Sequence, residues 1–206
     1  MSDATLRGIR AQTQYPSVGE GASVFTRHNV RGELVSPDFW TQLASDGRVF
    51  MVRNPVMQTA LAIGGTSFSG TAPALVIDFP SGTTGVPLAV RMSQGGVVAG
   101  GVITVLITAD TIARFSSGGT ALTVRNMRTT GGASTAATAY YNPTAAAITT
   151  DWLLAGGLVS PDVTPAVDVE FPGAFNRAVM WEPRVPPILQ GAASLVIYTF
   201  AATTQP

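Results

Sequence analysis

Few side chains in this sequence could carry out catalysis. His28 is the single histidine of the 206-residue chain, which excludes a two-histidine metal site and leaves at most one histidine as a general base. Nothing near His28 identifies the nucleophile and acid that a triad needs, so we interpret it as a surface residue. Asp168 and Glu170 have a spacing that a glycosidase carboxylate pair could use, but the outward face of an amphipathic strand explains both.

Two glycine-containing segments resemble catalytic or phosphate-binding loops without matching them. Residues 65–70, GTSFSG, place the second glycine one position too late for a nucleophile elbow. Residues 95–101, GGVVAGG, are followed by an apolar strand pattern and no lysine, which favours a flexible connector over a phosphate-binding loop. The chain has no cysteine, so thiolate chemistry and disulfides are excluded. We therefore predict no catalytic residue, no cofactor and no metal site, and hence a protein that is not an enzyme.

Aromatic side chains offer a binding alternative. Five of them could line a sugar-binding platform, namely Trp40, Trp152, Trp181, Tyr140 and Tyr141. Tryptophans in an all-β fold more often anchor cores and protein interfaces, and we favour that interpretation.

Charge is scarce and balanced. Only 12% of the residues are charged, and twelve acidic residues balance twelve basic ones, so no long-range field attracts nucleic acid or an anionic membrane. All basic residues are arginine, which suits protein interfaces, although codon usage in a GC-rich genome explains it equally well. Neither a signal peptide nor an apolar run of membrane-helix length is recognisable. We expect a protein made in a cytoplasm, with no nucleic-acid or membrane partner.

Strand patterns dominate the chain, and the clearest stretch is residues 74–92. Leu75, Ile77 and Phe79 alternate with their neighbours, a second alternation covers residues 86–92, and a Pro/Gly loop at residues 80–85 predicts a hairpin between them. A helical turn is expected at residues 36–44, and a central strand, buried on both faces, at residues 102–108. Further strands are predicted at residues 48–53, 59–63, 121–128, 148–154, 167–171, 178–181 and 194–200.

This spacing predicts an all-β fold, a sandwich or jelly roll of about nine to eleven short strands. We expect one β-sandwich domain over residues 23–206 and an extended N-terminal arm over residues 1–22. The arm has too few apolar residues for a core of its own, but enough to bind a groove or sheet edge on a neighbouring molecule. Its candidate partner-binding residues are Leu6, Arg7, Ile9, Arg10, Tyr15 and Pro16.

Two segments carry a family resemblance. Residues 185–204, VPPILQGAASLVIYTFAATT, resemble the ends of virion structural proteins of tailed bacteriophages, and residues 73–92 are similar to a hairpin in such proteins. The resemblance implies a jelly-roll-like β-sandwich, usually a homotrimer, located in the virion. It implies a capsid decoration or cement protein that binds the major capsid protein or other virion proteins. A receptor-binding or fibre-head protein that binds host glycan through loops such as residues 131–141 is the alternative.

Overall fold

The computed structural model describes residues 39–55, 64–93, 102–130, 135–150, 152–161 and 178–201. These residues form short antiparallel strands and almost no helix, which confirms the all-β prediction. Fourteen strands occur there, five of them only two residues long, whereas sequence patterns detect only longer runs. The elements are α1 (Phe39–Ser45), β1 (Phe50–Met51), β2 (Leu75–Phe79), β3 (Thr84–Gly85), β4 (Val90–Ser93), β5 (Val102–Asp110), β6 (Phe115–Ser117), β7 (Thr120–Leu122), β8 (Arg125–Asn126), β9 (Thr138–Tyr141), β10 (Thr144–Ala145), β11 (Trp152–Pro161), β12 (Ala178–Trp181), β13 (Leu189–Gln190) and β14 (Ala193–Ala201).

The chain divides into two compact units, residues 1–51 with 125–135 and residues 52–124 with 136–206. In the first unit α1 confirms the predicted helical turn. It ends at Ser45, and Gly47 follows it with a φ of 69°, which suits the residues just after a helix. The Asn126 side-chain amide donates to the Gly47 carbonyl oxygen at 2.7 Å. Strands β1 and β8 pair antiparallel beside this turn.

A six-stranded antiparallel sheet organises the second unit, with the strand order β11-β5-β14-β2-β9-β7. Strands β5 and β14 pair over eight residues and are the long apolar segments of the sequence. Residues on both sides of β5 are buried, as predicted for residues 102–108, because both faces of the sheet are covered.

Each face of the sheet has its own apolar cluster. On the first face Ile107, Leu195 and Ile197 pack with Val179 of β12 and Leu189 of β13, so the β4–β12 and β3–β13 ribbons cover this side. On the second face the buried residues Val76, Ala145, Val196 and Tyr198 form a smaller cluster, against which the half-buried Leu106 and Phe115 pack. Ala145 belongs to β10 and Phe115 to β6, so the β6–β10 ribbon lies on this side.

The predicted hairpin at residues 74–92 is wrong, although its first strand is present as β2. Strand β2 pairs with β14 and β9, while β3 pairs with β13 and β4 pairs with β12. An alternating pattern specifies which faces are buried but not which strand becomes the neighbour.

Other strand predictions differ in their bounds. Residues 121–128 divide between β7 and β8, which belong to different sheets, and the strand expected from residue 148 begins at Trp152. Strands β12 and β14 confirm the predictions at residues 178–181 and 194–200. The predicted arm, and the strands expected at residues 59–63 and 167–171, lie outside the described residues.

Candidate functional site

Most of the candidate residues from the sequence fall outside the described part of the chain. This applies to the six arm residues Leu6, Arg7, Ile9, Arg10, Tyr15 and Pro16, and also to His28, Asp168, Glu170 and residues 95–101. The arm and its residues therefore remain predictions. Within the described residues no three His, Cys, Asp or Glu side chains come together as a metal site would need, and no helix there has the length and apolar character to cross a membrane.

The aromatic residues considered for a sugar platform do not share one surface. Trp40 is on α1 of the first unit. In the second unit Trp181 packs against the cluster on the first face of the sheet, whereas Tyr140 stacks on Phe115 of the second face, with ring centroids 3.7 Å apart. Trp152 stands at the start of the edge strand β11 and is 53% exposed. A platform built from all five is therefore not formed.

The loop at residues 65–70 has a structural role. The Gly65 amide donates to the Thr199 carbonyl oxygen at 3.1 Å, and the Ala201 amide donates to the Gly65 carbonyl oxygen at 3.1 Å. Phe68 makes edge contacts with Tyr198 and Phe200 at centroid distances of 5.1 and 6.0 Å. These contacts fix the loop on the end of β14.

Among the described residues of the second unit, the most concentrated polar chemistry is a buried cluster around Arg114, which is 1% exposed. Its Nη1 forms an ion pair with Asp110 Oδ2 at 3.0 Å, and its Nε donates to the Ala146 carbonyl oxygen at 2.9 Å. Its Nη2 donates to the Gly70 carbonyl oxygen at 2.7 Å and to the Tyr198 hydroxyl at 3.1 Å. One side chain thus joins the end of β5 to two loops and to β14.

The two carboxylates of this cluster accept hydrogen bonds from loop amides. Asp78 accepts from the amides of Arg114 and Phe115 at 2.9 and 3.0 Å. Asp110 accepts from the amides of Thr111, Thr149 and Thr150 at 2.7, 3.1 and 3.2 Å. Because buried carboxylates need such donors, the loops after β5 and β10 are fixed in place by the charges they surround.

These contacts change the titration of Asp110. Burial raises the pKa of this carboxyl, but hydrogen bonds from the Thr149 and Thr150 amides, from Arg114 and from the Thr111 amide lower it further than burial raises it. The net effect is a pKa below the ordinary value of 3.8, so the group is ionised at neutral pH. A fully hydrogen-bonded, charge-compensated carboxylate under the surface suits structural support better than proton transfer.

Sequence reasoning missed this cluster. The available signal was Asp110 at the end of a long apolar strand, followed four residues later by Arg114. A charge at the end of such a strand is buried unless the chain turns sharply. No sequence pattern shows that the amides of Thr149 and Thr150 donate to Asp110, or that the carbonyl oxygens of Ala146 and Gly70 accept from Arg114.

Exposed aliphatic side chains gather where β3 and β13 pair. Gly85 pairs with Leu189 at the end of this ribbon, and Val86 and Ile188 are the next residues along the two chains. Ile188 is 67% exposed, Val185 is 83% exposed, and Val86 is also exposed. We call these three residues the apolar tip. Sequence reasoning used residues 185–188 only as part of the family resemblance and overlooked that the residues flanking the two prolines are aliphatic, where a solvated turn would favour polar ones.

The apolar tip is suited to binding another protein. Side chains so exposed are usually polar in a monomeric protein, whereas clustered exposed aliphatic residues mark contact surfaces. Pro186 and Pro187 restrict the backbone between Val185 and Ile188, which reduces the conformational entropy lost on binding.

Comparison of the chain with protein-family models, with curated protein sequences and with solved structures gives no match.

Proposed function

We propose that this protein is a non-enzymatic virion structural protein, a capsid decoration or cement protein that binds neighbouring capsid subunits and stabilises the particle. The observation that carries this proposal is the apolar tip formed by Val86, Val185 and Ile188, which includes the two most exposed large hydrophobic side chains among the described residues.

Three further features support a structural role. The sequence resembles tailed-phage virion proteins at residues 185–204, the segment that also contains Val185 and Ile188 of the tip. The charged groups of the Arg114 cluster are all engaged in holding loops. A surface with few charges is also poorly protected from association, and assembly would cover it.

The proposed assembly is a homotrimer located in the virion, because a closed symmetric ring covers apolar surface without leaving open ends. The finer architecture that we propose is a jelly-roll-like β-sandwich, and the packing of the β4–β12 and β3–β13 ribbons on one face of the main sheet supports it. Sedimentation equilibrium at micromolar concentration tests the trimer, since a monomer there would contradict it.

Particle binding tests the decoration function directly. The gene is deleted from the phage that encodes it, and the purified protein is added back to the particles, with occupancy measured by cryo-electron microscopy. We expect the wild-type protein to bind the capsid surface and Ile188→Asp to lose at least about tenfold in affinity, which is about 1.4 kcal/mol. Met180→Asp, on the exposed side of β12, is the matched control because Met180 is similarly exposed but belongs to a different ribbon. Absence of the protein from capsids, or equal binding of both variants, would contradict the proposal.

A further inference from the structure

The outward side of the β4–β12 ribbon places a thioether against a guanidinium. Arg91 and Met180 lie directly opposite each other in the register, and Arg91 Nη2 donates to Met180 Sδ at 3.2 Å. The neighbouring pair, Met92 and Val179, packs on the first face of the sheet, so the two-residue alternation turns Arg91 and Met180 towards solvent. Both side chains are exposed there, Met180 to 55%.

The Met180 sulfur is a weak partner for this cation. A thioether is a poor hydrogen-bond acceptor, whereas a guanidinium is always charged and forms its strong hydrogen bonds with oxygen. Within the described part of the chain the one ion pair is that of Arg114 with Asp110, so no carboxylate there compensates the Arg91 charge. An oxygen acceptor opposite Arg91 would therefore be bound more strongly than the sulfur is.

We propose that Met180 is a site of reversible oxidation by peroxides and that Arg91 binds the resulting sulfoxide. The sulfur donates an electron pair to one oxygen of hydrogen peroxide, and the O–O bond breaks. The second oxygen leaves as hydroxide and takes the proton of the first, which forms water. The thioether is thus oxidised by two electrons, the peroxide is reduced, and the new sulfoxide oxygen accepts a charge-assisted hydrogen bond from the guanidinium. This modification would occur whether or not the protein decorates a capsid.

The two methionines of the ribbon should respond differently to an oxidant. A dissolved peroxide reaches the exposed Met180, whereas Met92 packs against the apolar cluster on the first face of the sheet. An oxygen added to Met92 would lie among apolar side chains and would destabilise the fold. An oxygen added to Met180 lies on the solvent side beside Arg91, so the packing of the sheet is kept.

The test exposes the full-length protein to dilute hydrogen peroxide and follows each methionine by peptide mass spectrometry. We expect Met180 to be oxidised about tenfold faster than Met92, because susceptibility follows exposure. Thermal melting is then compared before and after a dose that oxidises Met180 and spares Met92. The change in melting temperature on oxidation should be less favourable for Arg91→Leu than for the wild type by about 2–4 °C, because this variant has no donor for the sulfoxide.

Two variants and one reverse reaction serve as controls. Met127→Leu removes a methionine that is similarly exposed, at 50%, but belongs to the first unit, and it should respond to peroxide as the wild type does. Arg91→Lys keeps a cationic donor and should retain most of the wild-type response. Methionine sulfoxide reductases A and B together should return Met180 to the thioether and restore the original melting temperature, since each enzyme reduces one sulfoxide epimer.

Three outcomes would overturn the oxidation site. The first is that Met180 is oxidised no faster than Met92. The second is that oxidation changes the melting temperatures of the wild type and of Arg91→Leu by the same amount, which would show that Arg91 does not bind the sulfoxide. The third is that the Met180 sulfoxide persists after treatment with both reductases.

Discussion

Replacing Arg114 with methionine removes the cation at the centre of the buried polar cluster while keeping an unbranched side chain in its space. The wild-type guanidinium donates to four acceptors, namely Asp110, the carbonyl oxygens of Ala146 and Gly70, and the Tyr198 hydroxyl. After the substitution, Gly70 still accepts from the Tyr198 hydroxyl at 3.0 Å, but Ala146 loses the donor that Arg114 supplied. The Asp110 carboxylate stays buried without its counter-ion.

The structure sets the expected size of this effect. Removing one partner of a buried ion pair typically costs about 3–5 kcal/mol. Asp110 keeps three backbone amide donors, from Thr111, Thr149 and Thr150, which continue to stabilise its charge. We therefore expect the lower end, a loss of about 3 kcal/mol in the free energy of unfolding. For a unit of this size that corresponds to a melting temperature lower by about 6–12 °C.

Urea unfolding followed by circular dichroism measures the loss, with thermal melting as a second readout. Arg91→Met is the matched control, because it makes the same chemical change at an exposed position on β4, and it should stay within about 0.5 kcal/mol of wild type. The double variant Asp110→Asn with Arg114→Met should cost less than the sum of the two single variants, since the two residues form one pair. If Arg114→Met and Arg91→Met lose the same stability, the ion pair does not hold the loops as described.

Acid should weaken the fold through Asp110. A carboxyl whose folded-state pKa is below its unfolded value adds stability that is fully present above the unfolded value and is lost as the pH falls through the folded one. For Asp110 the loss should therefore begin below its ordinary value of 3.8. Asp110→Asn lacks this titration, so its stability should fall less steeply with acid than that of the wild type. Equal slopes for both proteins in acid urea titrations would refute this assignment.

Three further predictions concern packing, backbone conformation and the arm. Ile107→Ala, at the centre of β5, should lose about 2–5 kcal/mol of stability through cavity formation, whereas Ile188→Ala in the apolar tip should change stability by less than about 0.5 kcal/mol; equal urea midpoints would contradict this. Gly119→Ala should destabilise the protein more than Gly82→Ala. Both glycines have a positive φ, of 70° and 80°, but a Cβ at Gly119 would come within 2.6 Å of the Tyr141 carbonyl oxygen, whereas a Cβ at Gly82 would meet no atom within 4 Å. The difference in melting temperature between the two variants measures the cost of this steric contact. Deleting residues 2–20 should leave the circular dichroism of the β units unchanged and abolish incorporation into particles, and wild-type occupancy by the truncated protein would show that the arm is not the anchor.

Sequence reasoning succeeded where the buried positions follow the two-residue period of a β-strand. Strands β2, β5 and β14 are apolar runs with β-branched residues, and such runs indicate strands wherever they pair. The partners of β2 were predicted incorrectly, because adjacency in the chain favoured a hairpin with residues 86–92. Strand β2 instead lies between β14 and β9, where the apolar clusters cover both of its faces, and the burial gained there outweighs the shorter loop of a local hairpin.

The candidate sites were harder to predict because they depend on long-range placement. Asp110 and Arg114 look like ordinary surface charges in a single sequence, and only the approach of residues 146–150 and Gly70 makes them a buried pair. The exposure of Val185 and Ile188 depends likewise on β13 pairing with β3. Trp152 was recognised as an aromatic of interest, but its place opposite Ala109 follows from the β5–β11 register.

The position of β14 in the sheet has a consequence for synthesis. Strand β14 lies between β5 and β2, yet it is the last of the described strands to leave the ribosome. Until Ala201 has emerged, β11–β5 and β2–β9–β7 are separate pieces, each presenting an unpaired apolar edge to the surrounding solvent. The sheet can therefore close only after translation has passed this strand, and Val196 must find Val76 across most of the unit's length. Nascent chains interrupted before residue 193 should thus be the species that aggregates or recruits chaperones.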